Sequence, residues 1–244
     1  MHVVAIIPAR YGSTRLPGKP LKIIGDKPMI WWVHKRLKNI QRVDDVFVAT
    51  DDARIKDICD DYGIKNVMTK STHQTAANRL QEVSNTVKAD FYLQINGDEP
   101  LIDTGAIQAA IPESVPQDIE FGTNIITKIH NPALALDPSN IKVTFDNEMN
   151  ALYMSRTPIP YPFKSINFDY YKHVGIIGYN KKLLDFYANS VPGRFEKIEG
   201  IDTMRFIDYG KKLKFICVEN CESLSVDTEQ DLEEVRKLIL KTGN

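Results

Sequence analysis

The chain opens on Val3-Val4-Ala5-Ile6-Ile7, apolar at every position instead of alternating. A strand covered on both faces has no polar side, so this run predicts a central strand of a parallel sheet. A glycine- and proline-punctuated loop, Pro8 to Gly25, comes next. Pro28 then opens a helical spacing of Met29, Ile30, Val33 and Leu37, at the first-turn place where a missing N–H costs nothing. The cycle repeats. Val46 to Ala49 reads as a strand ending at Thr50-Asp51-Asp52, and Ile55, Ile58, Cys59 and Tyr62 mark a helix that Gly63 closes as a left-handed cap. Asn66 to Met68 predicts a third strand, Leu80, Val83 and Val87 a third helix, and Phe91 to Ile95 a buried strand ending at Asn96-Gly97-Asp98-Glu99-Pro100. Strands alternating with helices imply an α/β fold with a mostly parallel central sheet and right-handed crossovers.

Past Pro112 the rhythm changes. Shorter strand-like pieces (Phe121 to Thr127, Ile141 to Phe145) and a tyrosine- and proline-rich stretch from Tyr153 to Tyr171 predict an inserted subdomain, bounded at about residues 150–200, within a single domain of residues 1–244. His173 to Tyr179 reads as a return to the sheet, Leu183 to Tyr187 as a helix and Leu213 to Val218 as a strand. The terminal helix, Thr228 to Leu240, is expected to bury Leu232, Val235 and Leu238, with Asp227-Thr228 and Asp231 as its start signal.

Composition narrows the function. The 244 residues are 43% hydrophobic and 26% charged, an ordinary globular balance that excludes disordered, collagenous and disulfide-scaffold readings. Lysine and arginine total 31 against 32 acids, for a formal charge of −1, so there is no basic footprint for nucleic acid or an anionic membrane. Val3 to Pro8 is too short for a signal-peptide core or a membrane span, so a cytoplasmic protein is expected. Cys59, Cys217 and Cys221 lack CxxC spacing, which implies inert, partly buried thiols in a reduced compartment and no zinc site.

Ligands of open α/β sheets bind beyond the carboxyl ends of the strands, and three segments there carry unusual chemistry. Pro8 to Pro20 packs Arg10, Arg15, Lys19, Gly12, Gly18, Ser13 and Thr14 into one turn-rich loop, the set needed to cradle a polyphosphate with backbone amides and fixed cations. It matches neither a Walker A loop nor a GxGxxG fingerprint. Asp98, in a tight turn after an apolar strand, suits Mg²⁺, which takes one or two carboxylates and completes its shell with water and phosphate. A turn or cap role fits the same residue. Asp227, taken alone, reads as a helix N-cap.

Ile7-Pro8-Ala9-Arg10-Tyr11-Gly12-Ser13-Thr14-Arg15-Leu16-Pro17-Gly18-Lys19-Pro20-Leu21 closely resembles the cytidylyltransferases that activate 3-deoxy-manno-octulosonate as its CMP derivative. So do Val48-Ala49-Thr50-Asp51-Asp52, His73-Gln74, Gly97 to Ile102, Ala151-Leu152-Tyr153, Pro158-Ile159-Pro160-Tyr161, Lys172 to Ile176 and Val226-Asp227-Thr228, in the family's order along the whole chain. The resemblance implies attack of a sugar acid's anomeric hydroxyl on the α-phosphorus of CTP, release of pyrophosphate and a place in surface-glycan biosynthesis. It implies nucleotide contacts from Ala9, Arg10, Ser13, Arg15, Lys19, Gln74, Arg79 and Asp98. Arg10, Lys19, Asp98 and Asp227 are the implied catalytic residues, with Mg²⁺ held by Asp98 and Asp227. Gln74, Arg156, His173, Asp202 and Thr203 are the implied acceptor contacts, and a homodimer is implied as well.

The chain departs from the family pattern on the acceptor side. Ser-Gly-Thr-Asp-Arg becomes Thr75-Ala76-Ala77-Asn78-Arg79, a tyrosine becomes Ile177, and Leu-Glu-Gln-Leu-Arg becomes Ile201-Asp202-Thr203-Met204-Arg205. Lost hydrogen-bonding partners predict an altered acceptor. The competing readings are transfer to a phosphate or phosphonate acceptor, and a silent nucleotide-binding paralogue.

Overall fold

Val3, Ala5 and Ile7 point to one face of strand β1 (Val3–Ala9), Val4 and Ile6 to the other, and none is more than 1% exposed. Helices cover both faces, which is why the run carries no polar alternation. The computed structural model of the protein describes residues 1–13, 15–221 and 224–242, so Thr14, one hydroxyl of the expected phosphate loop, lies outside the described residues. From β1 the chain passes through the hairpin β2 (Ile23–Ile24) and β3 (Lys27–Pro28) to α1 (Met29–Leu37), β4 (Asp45–Thr50), α2 (Ala53–Asp61), β5 (Asn66–Met68), α3 (Ala76–Thr86), β6 (Phe91–Ile95) and α4 (Thr104–Ala109). It continues with β7 (Gly122–Lys128), α5 (Pro132–Leu136), β8 (Lys142–Phe145), β9 (Ala151–Ser155), β10 (Tyr171–Tyr179), α6 (Lys181–Asn189), α7 (Arg194–Glu199), α8 (Met204–Asp208), β11 (Leu213–Cys217) and α9 (Glu229–Thr242).

The main sheet has the order β5-β4-β1-β6-β10-β7-β11, with β8 paired to β10 and β9 to β8. β1 pairs in parallel with β4 and β6, β4 with β5, and β7 with β11. β10 runs antiparallel to β6, β7 and β8, and β9 antiparallel to β8. The chain leaves β1 toward β4 on one side and leaves β6 toward β7 on the other, so the carboxyl ends of these adjacent strands open a crevice at a topological switch point.

One core layer joins Val3, Ala5 and Ile7 to Ile30, Val33 and Leu37 of α1, Ile55 and Cys59 of α2, and Ile107 of α4. The opposite layer joins Val4 and Ile6 to Leu80 and Val83 of α3, Leu183 and Tyr187 of α6, and Phe206 of α8. Full burial of each such Val, Leu or Ile side chain stabilises the fold by about 1.5–3 kcal/mol. Gly63, at φ +64°, terminates α2 as expected: its N–H donates to Asp60 O at 3.0 Å and that of Ile64 to Cys59 O at 2.7 Å.

Three expectations need correction. In α9, Leu232, Val235 and Ile239 are buried, whereas Leu238 is 39% exposed. The helical period places i, i+3 and i+7 on one stripe and turns i+6 away from it. Cys59 and Cys221 are buried, and burial pushes their thiols up to about 12 and about 11, but Cys217 is exposed. Within residues 150–200, β10 and α6 belong to the main sheet and its helical cover. What lies off the main strand path there is β9 with the irregular segment 156–170.

Candidate active site

The loop after β1 folds back on Tyr11, whose carbonyl accepts from Ser13 N at 3.0 Å and Gly18 N at 2.9 Å. Gly18 sits at φ +67°, and a Cβ there would lie 3.0 Å from the Tyr11 ring, so the turn requires glycine. The turn delivers Lys19 into the crevice, where its ammonium is 2.8 Å from Asp98 Oδ2 and 2.9 Å from Asp227 Oδ1. The sum of those distances bounds the separation of the two carboxylate oxygens, although the residues are far apart in sequence. Arg15 Nη2 reaches the same Asp227 oxygen at 3.0 Å. Burial alone would lower the Lys19 pKa, but Asp98 and Asp227 outweigh it and raise it, so the ammonium stays charged.

Asp227 is free for this role because it does not cap α9. Thr228 does: its Oγ1 accepts from Asp231 N at 3.2 Å, while Asp231 Oδ2 accepts from the amides of Asp227 and Thr228 at 3.0 and 2.8 Å. This reciprocal capping box leaves the Asp227 carboxylate outside the helix start, which corrects its reading as an N-cap. Asp98 Oδ1 is buried and has no hydrogen-bond partner among the described residues. An orphaned carboxylate oxygen beside a second carboxylate fits Mg²⁺, and no third protein ligand is needed where phosphate oxygens complete the shell. Among the described residues, no group of three or more His, Cys, Asp or Glu forms a metal cluster.

Ala9, Arg10, Ser13, Arg15, Lys19, Arg79, Asp98 and Asp227 line one cavity of about 570 Å³ together with Ala76, Asn96 and Gly97. Arg79 is 1% exposed and fixed at both ends of its guanidinium, Nη1 to Thr69 Oγ1 and Nη2 to Asp51 Oδ2, each at 2.7 Å. Asp51 and Thr69 follow β4 and β5, so the same strand-end rule that located Asp98 supplies the anchors of Arg79. Asn96 was given no role by sequence alone, yet it occupies the equivalent place after β6.

The expected acceptor contacts are not brought into this cavity. Gln74 is exposed and donates to Thr72 O at 3.3 Å. Arg156 spends its guanidinium on three backbone carbonyls, those of Pro138, Glu199 and Gly200, and so ties β9 to the end of α7. His173 Nδ1 lies 2.7 Å from Asn124 Oδ1, and burial pushes its pKa down to about 4. Thr203 is buried beside Met154 and, with Asp202, lines a separate void of about 20 Å³. Asp202 is exposed by surface area yet surrounded by enough protein to push its carboxyl pKa up. The neighbouring charge of Glu196 reinforces the shift, and Arg205 and Arg10 oppose it. Asp202 therefore feels the phosphate-loop arginine.

Residues 4–213 match the family described as cytidylyltransferase. The chain belongs to the cytidylyltransferase family. It is 37% identical over 237 residues to 8-amino-3,8-dideoxy-manno-octulosonate cytidylyltransferase of Shewanella halifaxensis, covering 95% of this chain and 96% of that one. It is also 37% identical to 3-deoxy-manno-octulosonate cytidylyltransferase of Thermodesulfovibrio yellowstonii, covering 98% of both. The solved structure of CMP:2-keto-3-deoxy-manno-octonic acid synthetase complexed with CTP superposes with a TM-score of 0.93 at 36% identity, covering 99% of this chain and 100% of that one. A glucose-1-phosphate thymidylyltransferase from Bacillus anthracis, at 19% identity and TM-score 0.67 over 97% of this chain and 94% of that one, shares the fold. This cytidylyltransferase is thus a nucleotidyltransferase whose cationic loop and paired carboxylates face one cavity. No helix among its described residues is long and apolar enough to cross a membrane.

Proposed function

We propose that the protein transfers CMP from CTP to the anomeric hydroxyl of 3-deoxy-manno-octulosonate or its 8-amino relative, releasing pyrophosphate. The carrying observation is the meeting of Asp98 and Asp227 on the Lys19 ammonium within the cavity lined by Arg10, Ser13 and Arg15. In this reaction the sugar hydroxyl gives its proton to water and its oxygen forms a bond to the α-phosphorus as the α–β phosphoanhydride bond breaks, the electron pair of the broken bond leaving with pyrophosphate. The protein's task is positioning and charge neutralisation, with no protein nucleophile. Arg10 and Arg15 offer planar forks to phosphate oxygens, while Lys19 supplies a point charge where charge builds on the leaving oxygen. Asp98 and Asp227 would hold Mg²⁺, which when bound neutralises the triphosphate and favours the ionised form of the attacking hydroxyl.

A homodimer and a cytoplasmic site, where CTP is available, belong to the same proposal. Tyr161, Phe163 and Ile166 are more than 80% exposed in the segment after β9, and a cluster of large apolar side chains in water fits a subunit contact. The test is pyrophosphate release from CTP and Mg²⁺ with each octulosonate. Release with either supports the reading. Silence with both, or release only with a phosphate or phosphonate acceptor, overturns the acceptor assignment.

A further inference from the structure

β10 does not pair evenly with β7. His173 stands opposite Ile126 and Ile177 opposite Asn124, so three residues of β10, Val174 to Ile176, face the single residue Ile125. Such a bulge re-aims the residues it contains, and bulges recur beside active sites. Its carbonyls are held from inside the sheet. Asn124, fully buried on β7, donates through Nδ2 to Val174 O and to Ile176 O, both at 3.0 Å, and its Oδ1 faces His173 Nδ1 at 2.7 Å. These carbonyls, with Ile125 O at 3.2 Å as a third, fix which end of the amide is nitrogen, and that in turn places the imidazole proton on Nδ1. One side chain thereby clamps both flanks of the bulge.

The bulge carries Gly175 toward the active-site turn. Ile176 pairs with Ile95 of β6, so Gly175 falls opposite Asn96, one residue beyond the end of β6. A side chain there must displace its neighbours: a Cβ on Gly175 would overlap Asn96 Nδ2 and lie 2.5 Å from Glu99 Oε1, so the ends of both side chains would have to move. Asn96 and Glu99 flank Gly97 and Asp98, and Asn96 Nδ2 donates to Glu99 Oε1 at 3.3 Å across the turn. On its other side the turn rests on β1, where a Cβ at Gly97 would lie 3.1 Å from Pro8 O. The Asp98 turn is thus wedged between the carboxyl end of β1 and the bulge of β10.

We propose that Asn124 and Gly175 are positioning residues: Asn124 clamps the β10 bulge, and the bare backbone of Gly175 lets Asn96 and Glu99 close the turn that aims Asp98 into the cavity. The inference rests on the proposed role of Asp98. Neither Asn124 nor Gly175 lines the cavity, so their effect passes through the turn.

The test uses Gly175→Ala and Asn124→Asp in the full chain, with Leu213→Ala on the edge strand β11 as a matched destabilising control. Both positioning variants are expected to lose roughly tenfold to a hundredfold in kcat, the scale of a misplaced reacting geometry, with the KM for CTP within twofold of the parent. The control is expected to lose thermal stability while keeping the parent kcat per folded molecule. Activity that falls only in proportion to the folded fraction in all three overturns the proposal. Asn124→Asp puts a carboxylate in a fully buried place and can fail to fold, so Gly175→Ala carries the second readout, a crystal structure. Displacement of Asn96 and of the Asp98 carboxylate, with β7 and β10 unmoved, supports the wedge; an unmoved Asp98 overturns it. If the parent itself transfers no CMP to either octulosonate, the functional assignment has failed, and the crystal structure still decides the positioning role.

Discussion

The amide of Val226 donates to the backbone carbonyl of Asp98 at 2.8 Å, joining the turn after β6 to the segment that enters α9. This bond sets Asp227, the next residue, beside Asp98, and Lys19 closes the group from the third side. Three segments distant in sequence are therefore held at one point by backbone as well as by charge.

Asp98→Asn and Asp227→Asn remove one negative charge each and keep side-chain shape. Each should reduce turnover on the order of a thousandfold, the equivalent of several kcal/mol of charge stabilisation. Each should retain the fold, because Lys19 keeps one carboxylate partner. Pyrophosphate release and thermal melting measure the two effects. Parent-like turnover in either variant would remove that residue from the metal site.

Lys19→Ala tests the chemical step. The Lys19 side chain is 12% exposed and its ammonium lies between the two carboxylates, so under the proposed function its loss takes a fixed cation from the leaving group, while Arg10, Arg15 and Arg79 remain in the cavity to hold the nucleotide. Single-turnover rates should fall roughly a hundredfold or more, with a smaller change in CTP affinity. An unchanged single-turnover rate rules this role out.

Arg79→Ala tests stability and site together. Its guanidinium is buried against Asp51 and Thr69, and removing one partner of a buried pair leaves the other uncompensated. The expected loss is about 3 kcal/mol, read as a lower denaturation midpoint, accompanied by weaker CTP binding. A loss below about 1 kcal/mol would mean that water replaces the guanidinium at Asp51.

These anchors show which features are legible in sequence. Continuous apolar runs announced β1, β4 and β6 because burial on both faces forbids alternation, and the strand-end rule then pointed to Arg10, Lys19 and Asp98. The reversed direction and bulge of β10 were not legible, since His173 to Tyr179 reads as the same apolar run whichever way it pairs. Asp227 reads as a cap because acceptor side chains stand at many helix starts, as Asp52, Thr75, Asp103 and Asn180 do here, and only coordinates separate it from Thr228. Arg156 and His173 were assigned to the acceptor by resemblance alone. In the fold the first ties carbonyls together and the second sits against Asn124, neither of which leaves a periodic trace.

His173 gives the stability a pH dependence. Burial lowers its pKa from 6.5 to about 4, so as pH falls the unfolded chain takes up the proton before the folded one. Its contribution is complete above pH 6.5 and is lost as pH falls toward about 4, to a limit of about 3 kcal/mol. His173→Gln keeps a donor for Asn124 and removes the titration. The difference in urea midpoint between parent and variant should therefore change between pH 7 and pH 4.5, and a constant difference would place the imidazole in water.

The altered segment 75–79 offers the last test, on acceptor choice. Thr75 caps α3 by accepting from Asn78 N at 3.3 Å and donating its hydroxyl to Asn78 Oδ1 at 2.8 Å, a pairing that a carboxylate at position 78 would preserve. Ala76 lines the large cavity, and Ala77 is 3% exposed beside the small void that also touches Asp202, Thr203 and Tyr187. Ala76→Gly would admit a closer ligand approach to the backbone, and Ala77→Thr would fill the void and add a hydroxyl beside Asp202. The triple variant Ala76→Gly, Ala77→Thr, Asn78→Asp should therefore keep the fold and change the ratio of kcat/KM between the two octulosonates by about tenfold, since one well-placed polar partner is worth about 1–2 kcal/mol. Competition between the two acceptors under limiting CTP reads that ratio directly. An unchanged ratio would move the discrimination to the Asp202–Thr203 end of the void, where Asp202→Glu with Thr203→Gln is the corresponding exchange.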